Sequence, residues 1–181
     1  MASNKVLIVI DVQNGFLDPA WGPSTNPECE NNIRKLLGHW RQQKWPIVLV
    51  RHDSVTPGST LRPGQPGNDF QEGIDGERDL LISKSVNSAF YGEPRLEDWL
   101  RKNSYDELVV CGITTNYCCE TTTRMAGNLG FKVEFVLDAT RAFDTKDIDG
   151  NVIKAADVMR MTGANLNGEF AKVVMTQSLL G

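Results

Sequence analysis

Five short apolar runs, at residues 5–11, 47–52, 107–111, 132–137 and 171–176, alternate with stretches whose apolar residues recur at helical spacing. Short β-branched runs alternating with helix-period segments predict an α/β fold, in which a mostly parallel sheet is covered by helices on both faces. A weaker run at 80–83 supplies a sixth strand or a strand-like connection. The chain has 181 residues, enough for one substantial core. Two domains would each sit near the lower size limit, so residues 1–181 are expected to form a single domain.

Between the strands, Asn26-Pro27 offers an N-cap and a proline at the first helical position, after which Ile33, Leu36, Leu37 and Trp40 share one helix face. That helix is expected to end before Pro46. A second helix carries Cys118, Thr122, Met125, Ala126 and Leu129 on one face, with Thr115 or Asn116 as its cap and Gly130 as a left-handed stop. A last helix is expected from about Asp149 to Leu166, with Val152, Ala155, Ala156, Met159 and Leu166 on its apolar side. Residues 53–79 hold eight Pro and Gly residues, from Pro57 to Gly76, too many for a regular element. A loop that long in a compact domain predicts a lid or a subunit contact.

Charge excludes some partners. The 19 Lys and Arg against 23 Asp and Glu give a net −4, with no basic block, so neither nucleic acid nor a membrane surface is an expected partner. The N-terminal residues lead straight into a strand-like run with no signal-like segment, and no stretch approaches membrane-spanning length, so a soluble, cytoplasmic protein is expected. Cys29, Cys111, Cys118 and Cys119 are then expected as reduced thiols.

Three residues stand at equivalent places on the expected sheet. Asp11 ends the first strand, Lys84 follows the run at 80–83, and Cys118 lies at the head of a helix after the strand at 107–111. Parallel strands would bring all three to the carboxyl edge of the sheet, where open α/β sheets place ligands. A thiol at a helix start faces free backbone N–H groups and the positive end of the helix dipole, so an exposed, reactive thiolate is expected at Cys118. Singly, each residue has a plainer role: a buried small hydrophobe, a turn-forming carboxylate, a solvated charge. Together they make a nucleophile, a proton acceptor and a cation.

Other combinations are weaker. Adjacent Cys118 and Cys119 close only a strained ring, so Cys119 is expected to be packing. His52-Asp53 resembles a pair of metal ligands, but the chain has two histidines and the other, His39, lies mid-helix. Gly58-Ser59 and Gly64-Gln65 lack the strand-to-helix context and lysine of a phosphate loop.

The residues Ile10-Asp11-Val12-Gln13-Asn14-Gly15-Phe16, Lys84-Ser85-Val86-Asn87-Ser88-Ala89-Phe90 and Cys111-Gly112-Ile113-Thr114-Thr115-Asn116-Tyr117-Cys118, with Thr122 and Gly130 behind them, resemble the isochorismatase-like cysteine hydrolases. That family includes nicotinamidases, N-carbamoylsarcosine amidohydrolases and ureidoacrylate hydrolases. The resemblance implies a three-layer α/β/α fold on a six-stranded Rossmann-like sheet, with Asp11, Lys84 and Cys118 as a catalytic triad. It also implies a cis peptide between Ile113 and Thr114, and an oxyanion hole from the backbone N–H groups of Thr114 and Cys118. Nicotinamidases hold a metal with one Asp and several His after the second strand. Here Asp53 matches the Asp, but Ser54, Val55 and Thr60 stand where ligands are expected, so neither metal nor cofactor is expected.

The reading that results is a hydrolase of small molecules that cleaves an amide, ureido or carbamoyl C–N bond through a thioester on Cys118. Gln13, Phe16, Trp21, Phe90 and Tyr117 are candidates for the substrate pocket. A homodimer or homotetramer is expected, as is common in the family. Two alternatives share the fold: cleavage of a vinyl ether with Asp11 as the acid and Cys118 incidental, and a catalytically silent binding or redox protein.

Overall fold

Every residue of the first strand after Lys5 is apolar, and each is buried, because that strand lies inside the sheet with helices on both sides. In the computed structural model, which describes residues 5–180, β1 (Lys5–Ile10) sends Val6, Ile8 and Ile10 into one core and Leu7 and Val9 into another. The sheet runs β3 (Leu80–Lys84), β2 (Ile47–His52), β1, β4 (Glu107–Ile113), β5 (Lys132–Arg141), β8 (Lys172–Val174), and all neighbours are parallel. The core with Leu7 and Val9 is covered by α1 (Cys29–Gln43) and the short α5 (Gln177–Leu180). The opposite core takes Leu96 and Leu100 from α2 (Leu96–Lys102), Ala126 from α3 (Glu120–Asn128) and Leu166 from α4 (Ala155–Leu166). The expected six strands and three layers are present. Each wholly buried Leu, Ile or Val contributes roughly 1.5–3 kcal/mol, against about 0–1 kcal/mol for an exposed ion pair such as Arg160–Asp157. The sheet core therefore sets the stability of the fold.

The chain builds outward from β1 to β2 and β3, then returns to the far side of β1 for β4, β5 and β8. Strand order thus reverses between β1 and β4, and the connections diverge there to leave a crevice at their carboxyl ends. Among the described residues, no helix is long and apolar enough to cross a membrane.

Two helix starts differ from expectation. Asn26 does not cap α1. Its backbone is left-handed (φ 56°) and its Nδ2 donates to Asp138 O at 2.8 Å and Thr140 O at 2.6 Å, so the side chain ties the loop to β5 and the helix begins at Cys29. α4 begins at Ala155 rather than near Asp149. Residues ahead of it form a small antiparallel hairpin, β6 (Thr145–Lys146) with β7 (Val152–Ile153), leaving Val152 exposed. The Asp147 carboxylate accepts the backbone N–H of Asp149 and of Asn151, stabilising that turn, and Asp144 accepts the N–H of Ala155 at 2.8 Å, marking the true helix start.

Residues 53–79 are fastened to the body of the protein. Ile74 is fully buried and Leu61 nearly so, Gln71 N–H donates to Val12 O, and the Arg34 and Arg41 guanidiniums of α1 hold carbonyls of Glu72, Ile74, Asp75 and Glu77. The loop sits close against the turn after β1. A Cβ on Gly15 would lie 2.6 Å from Leu61 Cδ2 and 3.0 Å from Gly67 O, so only glycine permits that approach.

Gly112 is the second position that demands glycine. It has φ 132°, lies at an irregularity in the β4–β5 register, and a Cβ there would stand 2.1 Å from Ile10 O. Gly112→Ala is expected to cost about 2 kcal/mol or more through backbone strain and forced separation of β1 from β4. Urea unfolding measures this, and a midpoint equal to that of the parent protein would contradict the close approach.

Candidate active site

Each of the three central side chains is placed by the carboxyl end of a strand. Asp11 follows β1 directly in the left-handed region (φ 52°), a costly conformation for a residue with a Cβ and one that concentrates at functional sites. Its N–H donates to Val50 O at 2.9 Å. Lys84 is the last residue of β3 and is side by side with His52, the last of β2. Cys118 arrives from β4 through the cis peptide Ile113–Thr114, present as expected, and a π-helical turn over Thr115–Cys119.

The turn corrects the expected cap. Neither Thr115 nor Asn116 caps a helix; Thr115 Oγ1 donates to Thr140 Oγ1 at 2.9 Å instead, and α3 begins only at Glu120. Gly130 does end this helix segment in the left-handed region, at φ 84°. Thr122 Oγ1, one turn beyond the thiol, accepts the Ala89 N–H at 3.0 Å and so locks the segment after Lys84 onto α3.

The Lys84 ammonium is the hub. Its Nζ donates to Asp11 Oδ2 at 2.5 Å and to Cys118 Sγ at 3.4 Å, and stands 3.1 Å from His52 Nδ1. Both side chains of the Lys84–Asp11 pair are wholly buried. Burial works against the charge on Lys84, yet the Asp11 carboxylate, the larger of the opposing influences, holds its pKa above the ordinary value. The other Asp11 oxygen, Oδ1, is buried and has no hydrogen-bond partner.

The thiol is not the exposed thiolate expected. Cys118 is 6% exposed, and burial first and the Asp11 carboxylate second push its pKa well up, against the smaller downward pull of Lys84. A resting thiol that loses its proton only as it reacts fits this balance. Cys118 Sγ also lies 3.7 Å from Oδ1 of Asn87, an exposed residue on the segment after β3. Cys119 is fully buried packing, as expected.

The expected pocket residues scatter. Gln13 is completely buried and its amide is committed: Oε1 accepts the His52 N–H at 2.8 Å, and Nε2 donates to His52 O at 3.1 Å and Asn68 O at 2.8 Å. Phe90 is core, packed near Phe131. Both were expected in the pocket; apolar and amide burial draw them inward, and they have no face to offer a substrate. Phe16 is 6% exposed and clusters with Trp21 and Phe143, while Tyr117 is 49% exposed beside the thiol in sequence. The backbone of Thr114 lies at the start of the turn, its carbonyl accepting from the N–H groups of Tyr117 and Cys119. In the sequence His52 stands out only as a possible metal ligand, and Asn87 has no evident part. The signal for His52 in the sequence was its place at the end of an apolar strand run, equivalent to the places of Asp11 and Lys84.

The residues after β2 do not fit a metal of the nicotinamidase kind. Asp53 already has a cation, since Arg51 donates from Nε to Oδ1 at 2.9 Å and from Nη2 to Oδ2 at 3.3 Å, and Asn68 Nδ2 donates to Oδ1 at 2.9 Å. Burial raises the Asp53 pKa, but the bonds from Asn68 and Arg51 prevail and leave it lowered. Ser54 is buried and accepts the Thr56 N–H, Val55 is exposed, and Thr60 donates to Gly15 O.

The chain is similar to known proteins in both sequence and fold. The sequence model of the isochorismatase domain matches residues 5–165. The isochorismatase family protein YrdC of Bacillus subtilis is 38% identical, covering 99% of this chain and 96% of its own length. A nicotinamidase of Escherichia coli is 38% identical over 80% of this chain and 86% of its own. Among solved structures, an isochorismatase-family protein from Chromobacterium violaceum superposes with a TM-score of 0.93 at 42% identity, covering 99% of this chain and 94% of that one. A cysteine hydrolase from Pseudomonas syringae gives 0.87 at 28%, covering 98% and 91%.

Cys118 is the one cysteine with any exposed surface, the other three being at 0%. Iodoacetamide is therefore expected to label Cys118 first, as read by peptide mapping. Because its pKa is raised, the thiolate fraction climbs about tenfold per pH unit and labelling keeps accelerating past the ordinary thiol value near 8.5. A rate that levels off below pH 7 would mean a preformed thiolate and a wrong reading of the burial.

Proposed function

This chain belongs to the isochorismatase family, and on that premise we propose that it is a cysteine-dependent amidohydrolase acting on a small amide, ureido or carbamoyl compound. The observation that carries the reading is the Lys84 ammonium, 2.5 Å from Asp11 Oδ2 and 3.4 Å from Cys118 Sγ, which joins a carboxylate and a thiol in one buried cluster. The similarity to a nicotinamidase and to a cysteine hydrolase supports the same chemistry.

The steps follow from the proton balance of the cluster. Cys118 Sγ attacks the substrate carbonyl carbon as its proton passes to Asp11, so no thiolate need exist beforehand. Charge moves to the carbonyl oxygen, toward the backbone N–H groups of Thr114 and Cys118 in this proposal. Collapse of the tetrahedral species breaks the C–N bond, and Asp11 returns the proton to the leaving nitrogen. Water then attacks the thioester, Asp11 takes one of its protons, and release of the acid restores the thiol. Lys84 keeps its charge throughout and holds Asp11 and Cys118 at working distance.

Vinyl-ether cleavage draws on one observation, the protonated state that burial favours at Cys118. The two readings disagree about deletion of the thiol. Screening ammonia release across small amides, ureas and carbamoyl compounds identifies a substrate; Cys118→Ala should then lose at least about 1000-fold in kcat, and mass spectrometry of quenched parent protein should find the acyl group on the peptide holding Cys118. Asp11→Asn should suppress both formation and breakdown of that adduct. A Cys118→Ala protein of near-parent activity, with Asp11→Asn inactive, would replace the amidase reading with the vinyl-ether one.

A further inference from the structure

We propose that His52 is a positioning residue of this site, fixed in the Nε2–H tautomer and holding the Lys84 ammonium through its unprotonated Nδ1. The inference rests on the proposed function only in treating the cluster as catalytic; the geometry stands by itself. An ammonium has three N–H donors and no acceptor. Asp11 Oδ2, at 2.5 Å, and Cys118 Sγ, at 3.4 Å, take two, and His52 Nδ1, at 3.1 Å, is in reach of the third. A group that only donates can bond to Nδ1 only if that nitrogen carries no proton. The ring proton then belongs on Nε2.

The fold holds the imidazole there through strand register and backbone hydrogen bonds. His52 and Lys84 are register partners at the ends of neighbouring parallel strands, so their side chains leave the sheet on one face. The backbone of His52 is clamped at both polar groups: its N–H donates to Gln13 Oε1 at 2.8 Å, and its carbonyl accepts from Gln13 Nε2 at 3.1 Å and Asn68 Nδ2 at 3.0 Å. Gln13 belongs to the turn after β1 and Asn68 to the 53–79 loop, so both segments converge on placing this one residue.

The charged groups around the ring are Lys84 from β3, Asp11 from the end of β1, Asp53 next in the chain and, with the thiol, Cys118 from the π-helical turn. Burial and Lys84 oppose a charge on the imidazole, Asp11 and Asp53 favour one, and the balance lies below the ordinary histidine value. At neutral pH the ring is therefore an acceptor. Acidification through its pKa places a proton on Nδ1 opposite the ammonium, removing the bond and setting two cations against each other.

The chain has two histidines, so the ring nitrogens can be read directly. In protein labelled with 15N-histidine, two-bond 1H–15N correlation, assigned by loss of one set of signals in His52→Asn, should show His52 as the Nε2–H tautomer at pH 7.5. It should titrate below about pH 6.5, and in Lys84→Met the titration should move up by about one unit or more. In a second arm, iodoacetamide labelling of Cys118 should slow about tenfold in His52→Leu and recover to within about threefold of the parent rate in His52→Asn, whose Oδ1 stands where Nδ1 stood. An Nδ1–H tautomer, a titration unmoved by Lys84→Met, or equal labelling in the Leu and Asn variants would each overturn the proposal. Neither arm needs turnover, so a failed amidase reading leaves this inference standing, and the reverse also holds.

Discussion

A wholly buried ammonium–carboxylate pair is a demanding thing to build into a protein, and the Lys84–Asp11 contact is the constraint around which this site is organised. Taking both charges out of water costs several kcal/mol per ion, and removal of one partner from such a pair typically costs about 3–5 kcal/mol because the other is stranded. Attraction at 2.5 Å offsets that cost only if the remaining polar valences are met. For Lys84 they are met by Cys118 and His52, and this is why a nucleophile and an imidazole stand so close to a charge that could have been satisfied at the surface.

Much of the surrounding structure holds that arrangement. The left-handed backbone at Asp11 and the glycine at 112 let β1 and β4 approach at the crevice where strand order reverses. Gln13, buried and fully hydrogen-bonded, ties the turn after β1 to β2 and to Asn68, and Thr122 ties α3 to the segment behind Lys84. Cooperative polar networks of this kind rigidify when every member is satisfied and are destabilising when one is not. Asp11 Oδ1 is the exception, a buried acceptor left open beside a thiol whose proton the surroundings retain. An open acceptor next to a held proton is an arrangement suited to transfer.

Legibility in the sequence varied with the range of the interaction. The central strands were plain because a strand buried on both faces must be apolar at almost every position, and β1, most of β2 and β4 show it directly. The start of α4 was hidden because its helical spacing extends back through residues that a single carboxylate, Asp147, draws into a hairpin turn. Asn26 has the composition of a cap, but carbonyls of β5 more than a hundred positions away claim its amide. Of the aromatic pocket candidates, Phe90 looked the same in sequence whether it lined a cavity or filled the core.

The sequence by itself determined the six strands of the sheet, the family, and the three residues that follow strands at its carboxyl edge, because periodicity and motif spacing are properties of neighbours along the chain. Only the tertiary structure decided the state of those residues. It buried the thiol that looked exposed, assigned the candidate metal carboxylate Asp53 to Arg51, and set His52 against Lys84 through the register of two parallel strands. Charge state depends on desolvation and on groups a few ångströms away in space, and those neighbours come from positions 11, 52, 84 and 118, which nothing short of the folded sheet brings together.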